Sequence, residues 1–327
     1  MMTYAWIAVE PGGTFRKVDF AIPELRANQA LVRIRASGLN PLDAKIRNGQ
    51  AVHAHQPLPA ILGLDMAGIV EEVAVGVTSF KVGDEVFGMV GGVGGRQGTL
   101  AERIVVDTDL LAHKPKNLTM RQAAALPLSV ITAWEGLVDR ANVHEGQQVL
   151  IHAGAGGVGH VAIQIARALG AEVFSTASPQ KAEIVKGFGA IPIDYTSQSV
   201  EDYVANFTFG AGFDIIFDTV GGATLDSSFR AVKLYTGHVV SILGWGTHSL
   251  APLSFRAATY SGVFTLLPLL SGHGLAHHGE ILRRAAALAD AGLLTPLLAH
   301  KRFSIADIEA AFATVVSGAI GKTVIEF

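Results

Sequence analysis

The sequence predicts an α/β protein in which a β-rich domain accompanies a doubly wound parallel sheet. Three observations predict it. Across residues 148–265, continuous apolar runs such as Ile215-Ile216-Phe217 and Val239-Val240-Ser241-Ile242 alternate with helix-period segments, the pattern of strands covered on both faces. Residues 1–125 read instead as short strands parted by Gly, Pro and Asp turns, with few helices. Residues 148–178 then carry G-x-G-x-x-G in a strand, turn, helix, strand setting.

At 327 residues there is room for two domains, because one hydrophobic core rarely grows past roughly 250–300 residues. Half of the residues are hydrophobic and 16% are charged, the composition of a compact enzyme rather than a disordered chain. A net charge of −3 and the lack of a Lys/Arg cluster argue against nucleic acid as a partner. The longest apolar runs are broken, as Pro268 breaks VFTLLPLL, so none reaches the ~18–20 residues that a bilayer span requires. The opening MMTYAWIAVEPGG lacks a charged segment followed by an apolar one, and a cytoplasmic protein is expected. Cysteine does not occur, which excludes disulfides, a thiol nucleophile and zinc sites built on thiolates.

In the first domain Ala30–Ala36 alternates apolar positions with Arg33 and Arg35, as on a half-buried strand. Ile69–Val73 and Glu85–Phe87 look similar, with turns at Gly76 and Gly83-Asp84, and the spacing suggests a small barrel or sandwich. Gly91–Gly95 reads as a plain flexible turn. Residues 120–126 are helical, Pro127 interrupts them and a helix resumes over 129–137; the domain boundary is placed here, after residue 125. Strands are expected at 148–152, 172–176, 191–194, 213–217 and 237–242, with a sixth at 260–267. Beyond them come a helix at 277–291, a strand near Leu297, a helix at 304–316 and a last strand over 322–327.

The glycine turn carries the first functional reading. Behind it Val158, Val161, Ala162, Ile165, Ala166 and Leu169 recur on one helix face. Gly154 is assigned the tight turn, Gly156 the close approach of backbone N–H groups to a pyrophosphate, and Gly159 the packing of helix on strand. The diphosphate then meets the positive end of the helix dipole, with Gly157 and Val158 among its contacts. NAD-selective sites carry an Asp or Glu about 20 residues further on, bonded to the ribose 2′-OH. Here the second strand ends Ser175-Thr176-Ala177-Ser178 with no carboxylate. The hydroxyls of Thr176 and Ser178 with a nearby cation suit a 2′-phosphate, so NADPH is the expected cofactor. Ligands of this fold lie beyond the carboxyl ends of the strands, which adds Thr219, Val220, Leu243 and Gly244 as contacts.

Asn40-Pro41-Leu42-Asp43, Gly63-Leu64-Asp65-Met66-Ala67-Gly68, Lys81-Val82-Gly83-Asp84-Glu85-Val86, Ala124-Ala125-Leu126-Pro127 and the glycine turn together resemble the medium-chain dehydrogenase/reductase superfamily, in its zinc-independent quinone oxidoreductase branch. The resemblance implies a GroES-like catalytic domain over 1–125, a Rossmann NADPH-binding domain over 126–265, and a segment 266–327 that returns to the catalytic domain. It also implies Lys181 and Tyr195 at the 2′-phosphate, Thr132 near the nicotinamide, Lys322 near the pyrophosphate, and a homodimer joined through the edge strand at 260–267. Zinc alcohol dehydrogenases of the superfamily hold their metal with a cysteine, a histidine and a further ligand. In this chain the cysteine position is Asn40, the G-H-E segment is Gly63-Leu64-Asp65, and the four-cysteine structural lobe is missing, so no metal is expected.

The implied activity is hydride transfer from NADPH to a quinone or an α,β-unsaturated carbonyl, which needs a donor at the developing oxyanion. Asn40, Asp43 and Lys45 are the candidate cluster: Asn40 donating to the carbonyl, Lys45 stabilising the enolate, Asp43 orienting Lys45. The same residues also have a structural reading, since Asn40-Pro41 signals a turn and Asp43 suits the cap of a helical turn. His53 and His55, and His273, His277 and His278, read as surface residues because no carboxylate stands near them at ligand spacing; His152 reads as a satisfied buried histidine. The alternatives are a 2-enoyl thioester reductase, a zinc-type alcohol dehydrogenase-like enzyme, and an NADPH-binding protein with a structural or regulatory role.

Overall fold

The computed structural model describes residues 1–327 and divides into two compact units, Met1–Leu128 with Leu266–Phe327, and Ser129–Thr265. The first unit is built around the strand Gln29–Gly38, whose apolar residues Ala30, Leu31, Val32, Ile34 and Ala36 are all buried. It pairs antiparallel with Asp65–Val73, with Arg103–Asp107 and with the C-terminal strand Val324–Glu326. Register breaks at Leu31/Val32 and Ile34/Ala36 bend it, as bulges do. The register matters for function: Gly38 lies opposite both Asp65 and Val324, so Asn40, Asp65 and Lys322 meet at one end of the sheet. A Cβ at Gly38 would stand 2.0 Å from the Ala124 carbonyl oxygen, which is how the short helix Met120–Ala124 closes over that end.

The expected break is present at Ala125-Leu126, after the helix Met120–Ala124, and Pro127 opens the next helix, Pro127–Trp134, where its missing N–H costs no hydrogen bond. The helix at the C-terminal side runs Leu275–Asp290 and carries one correction. His273 and His277 are exposed, but His278 is fully buried, because it shares the inner helix face with Ile281, Leu282 and Ala285 at i+3, i+4 and i+7. The Gly91–Gly95 turn is also less open than expected, with Gly91 and Gly92 buried and Gly94 bonded to the Ala54 carbonyl.

The second unit is a six-stranded sheet in the order Ile191–Asp194, Glu172–Ala177, Gln148–Ile151, Ile215–Asp218, His238–Ser241, Thr259–Gly262, every neighbouring pair parallel. Chain order therefore reverses at Gln148–Ile151, and the crevice beyond the ends of that strand and Ile215–Asp218 is where such sheets bind dinucleotides. Leu150, Phe174, Ile193, Phe213, Ile216 and Val239 fill one face together with Tyr203 and Phe229 from the helices. Each large apolar side chain buried this way contributes about 1.5–3 kcal/mol. The sixth strand is shorter than the expected 260–267: it ends at Gly262, and Leu267–Ser271 is a helix that starts with Pro268 in its first turn. No helix in either unit is long and apolar enough to cross a membrane.

Candidate active site

The turn after Gln148–Ile151 has a different division of labour from the one expected. The residue in the left-handed region is Ala153, at φ 54°, while Gly154 is not. Gly154 is needed for packing: a Cβ there would stand 2.1 Å from Ser175 Oγ and 2.8 Å from Ile163 Cδ1. A Cβ at Gly159 would stand 2.3 Å from the Ala153 carbonyl oxygen, which keeps helix and strand in contact. Gly156 and Gly157 are freer, with nearest contacts of 3.0 Å to Ala153 O and 3.8 Å to Ser129 Oγ. That open face, at the head of the helix Gly159–Ala168, is a cradle a phosphate can approach and a side chain would block.

Beside it lies a cavity of about 610 Å³ whose wall includes His152, Thr176, Tyr195, Val220, Thr224 and Arg230. The size and the mixture of apolar and hydrogen-bonding groups fit the adenosine half of a dinucleotide. His152 is the satisfied buried histidine expected, 3.1 Å from both Thr176 Oγ1 and Ser228 Oγ. Burial pushes its pKa down to about 4, with only partial compensation from Asp218, so it is neutral near pH 7. Val220 and Leu243 are set by groups that sequence reasoning passed over. The Asp218 carboxylate accepts the N–H groups of Val220 and Gly221 and the hydroxyl of Ser241, and Ser241 accepts the N–H of Leu243. A polar pair at the ends of two adjacent apolar strands was the signal that could have marked it. Gly244 leaves room for the Tyr260 hydroxyl, which a Cβ would meet at 2.1 Å. Thr132 is buried and bonded to Thr265 at 2.9 Å. Lys181 and Ser178 are half-buried and lie off the cavity wall, while Tyr195 is on it.

In the first unit the candidate cluster forms with one substitution of membership. Asn40 and Asp43 are buried at 2% and 0% exposure. Asp43 does not orient Lys45; its carboxylate accepts the N–H of Asn40 at 2.8 Å and of Gly63 at 3.1 Å. Lys45 is exposed, because side chains two apart on a helix do not face each other. Its place beside Asn40 is taken by Lys322, which is 6% exposed and bonds Asn40 Oδ1 and, at 3.1 Å, Asp65. Asn40 Nδ2 donates to the same Asp65 carboxylate at 3.0 Å, and the N–H of Leu128 donates to its other oxygen. Lys322 was expected at the pyrophosphate; the structure commits its ammonium to these two side chains. An ammonium can only donate and a carboxylate can only accept, so the Asn40 amide has a single orientation with one N–H left over. Backbone bonds to Leu297 and Ala299 hold Lys322 in place.

Burial also raises the acids of this cluster. Asp43 is pushed up to about 7, chiefly by burial and opposed by the Asn40 N–H. Asp65 is raised by burial too, against the pull of the Lys322 ammonium. The folded chain thus keeps a proton on Asp43 up to about pH 7 that the unfolded chain releases near the ordinary value of 3.8. Native protein binds more protons across that window, so the stability from this group is complete below it and is lost as pH rises through the folded pKa. Replacing Asp43 by Asn, which does not titrate, is expected to flatten the fall in denaturant midpoint between about pH 4 and 7. Equal slopes in both proteins would assign the fall to other groups.

Family profiles match both units. The alcohol dehydrogenase GroES-like domain matches residues 26–116, and the zinc-binding dehydrogenase profile matches residues 157–267. The chain is 34% identical over 333 residues to the NADPH-dependent alkenal/one oxidoreductase, chloroplastic, of Arabidopsis thaliana, a match that spans 98% of this chain and 78% of that protein. This chain is a medium-chain dehydrogenase/reductase. It falls in the quinone oxidoreductase-like branch of that superfamily. Among solved structures of the superfamily, an alcohol dehydrogenase superfamily protein from Novosphingobium aromaticivorans is 57% identical, matches over 99% of each chain and has a TM-score of 0.97. The quinone oxidoreductase from Coxiella burnetii is 29% identical over 100% of each chain, with a TM-score of 0.82. The residues of this medium-chain dehydrogenase/reductase do not fit a catalytic zinc, whatever the profile's name. Asn40 and Leu64 are not zinc ligands of the usual kind, and Asp65 already faces an ammonium that would repel a second cation. No three His, Cys, Asp or Glu residues converge elsewhere in the chain.

Proposed function

We propose that this medium-chain dehydrogenase/reductase reduces α,β-unsaturated carbonyl compounds or quinones with NADPH and without a metal. The observation that carries the reading is the Asn40–Asp65–Lys322 cluster, in which an ammonium clamps Asn40, the residue at the position where the family's zinc alcohol dehydrogenases keep a cysteine ligand. NADPH would be held by the Gly156–Gly157 cradle and the cavity beside it, with Tyr195, Lys181 and Ser178 as further contacts, and it supplies the hydride. The chain's own part is electrostatic. The remaining Asn40 N–H donates to the substrate oxygen as charge develops on it, held in aim by Lys322 and Asp65. The name of the Arabidopsis relative supports the enone half of this reading and that of the Coxiella protein the quinone half.

The test is oxidation of NADPH and NADH against a simple enone and a quinone, with and without a chelator. Turnover that resists the chelator and favours NADPH is expected. Activity lost to the chelator, or seen only with alcohols, would sink the proposal.

The reading includes a homodimer. Thr259–Gly262 pairs on one side only; Tyr260 within it and Phe264 just beyond it are 36% and 37% exposed, with Trp245 edge-on to Phe264. An uncovered β edge with aromatic neighbours favours a second copy. Light scattering at micromolar concentration is expected to give twice the chain mass, and a Gly262→Pro chain, which loses a donor on the open edge and keeps the inward bonds of Thr259 and Val263, to give a monomer. A monomer for the unaltered chain would remove this part of the proposal.

A further inference from the structure

The next step rests on the NADPH reading above and asks which group recognises the 2′-phosphate. The hydrogen bonds of the cavity decide which groups can donate. Ser228 spends its one hydroxyl proton on the Thr224 carbonyl at 2.8 Å, so Ser228 Oγ receives the N–H of His152 Nε2. A neutral histidine has only that one N–H. His152 Nδ1 is then a bare lone pair, filled at 3.1 Å by the hydroxyl proton of Thr176. Thr176 Oγ1 also receives the N–H of Ala153 at 3.1 Å. Thr176 therefore has a lone pair, not a proton, left for the cavity, and a lone pair repels a phosphate oxygen.

Charge has to come from elsewhere on the wall, and there the one permanent cation is Arg230. It sits on the helix Ala223–Ala231 in line with Ala223 and Ser227, which also face the cavity. Its nearest acidic neighbour is Glu201 at 3.7 Å, too long for a hydrogen bond, so the guanidinium keeps donors to offer. We propose that Arg230 is the residue that recognises the 2′-phosphate of the cofactor, with Glu201 as an internal competitor that weakens binding. A guanidinium suits the task because it meets a phosphate through two parallel N–H bonds.

Calorimetric titration of the full chain with adenosine 2′,5′-bisphosphate and adenosine 5′-monophosphate tests this without turnover. The unaltered chain is expected to prefer the bisphosphate. Arg230→Gln should reduce that preference roughly 10- to 100-fold, the loss of a charge-assisted pair, and leave the monophosphate affinity unchanged. Glu201→Gln should strengthen bisphosphate binding by about 2- to 10-fold, in the opposite direction, through loss of a nearby like charge. If Arg230→Gln keeps the preference and Lys181→Gln abolishes it, the phosphate sits at Lys181 and the inference is overturned. If Arg230→Gln weakens both probes equally, Arg230 holds the adenine or the fold, which also overturns it. Equal affinity of the unaltered chain for both probes would bring down the NADPH reading itself.

Discussion

Replacing Lys322 by Met is expected to cost the first unit about 3–5 kcal/mol of stability and to remove most of the turnover. Lys322 and Asp65 are 6% and 0% exposed, so neither charge has water to fall back on. Without the ammonium, Asp65 and the neighbouring Asp43 are buried acids with no cation in contact, and Asn40 Oδ1 loses its donor. Asp65→Leu alone should be comparably damaging, because it strands the ammonium. The double variant separates structure from chemistry. Removing a buried ion pair as a unit is often nearly neutral, so its denaturant midpoint should recover much of what either single change loses. Turnover should not recover, since the Asn40 amide would then have neither the donor nor the acceptor that fixes its orientation. A double variant restored in both stability and kcat/KM would show the cluster to be scaffolding and nothing more.

Gly159→Ala is expected to destabilise the second unit by about 3 kcal/mol or more and to abolish detectable nucleotide binding. The added methyl would meet the Ala153 carbonyl at 2.3 Å and the Gly154 Cα at 2.9 Å, both backbone atoms of the turn itself. Neither can retreat, because Ala153 is tied to Thr176 and Gly154 is pressed on Ser175. Gly157→Ala is the contrast. Nothing stands closer than Ser129 Oγ at 3.8 Å, so the melting temperature should hold, with a change within about 0.5 kcal/mol. Its methyl would stand on the open face, and NADPH affinity should fall at least about 10-fold if the diphosphate lies there. Thermal melts and fluorescence titration of both variants check the pair. Tight binding by Gly157→Ala would move the diphosphate off this turn.

Much of the second unit was legible because its signals are local. Val149–Ile151, the glycines and the helix-period residues behind them are contiguous, so periodicity and turn chemistry both act within one stretch, and the parallel sheet follows from it. Edges were less legible: the run YSGVFTLL reads as one strand, yet the strand ends at Gly262 and the run's last residue, Leu267, opens a helix. Gly159 keeps the packing role expected of it, and Gly154 has a packing role in place of the left-handed turn. The left-handed residue is Ala153, held by the Thr176 hydroxyl, which no local rule for alanine would suggest.

The first unit shows where local reading stops. Asn40 and Asp43 were visible as polar residues in a short turn, and Lys45 was attached to them because it is near in sequence. The lysine that joins them lies 282 positions away from Asn40 and reaches it only because Val324–Glu326 pairs with the far end of Gln29–Gly38. His278 was read as exposed for a similar reason: its fate depends on which helix face is covered, and that is set by the strand Leu111–His113 packed against it.

By itself, then, the sequence determined the periodicities, the glycine turn and the want of thiol ligands, all properties of residue type and short spacing. The tertiary structure decided the partners of the buried charges and the direction of each proton in the His152 network. Those depend on burial, which withdraws water as the alternative partner and leaves each donor only the acceptors that long-range pairing brings within about 3 Å.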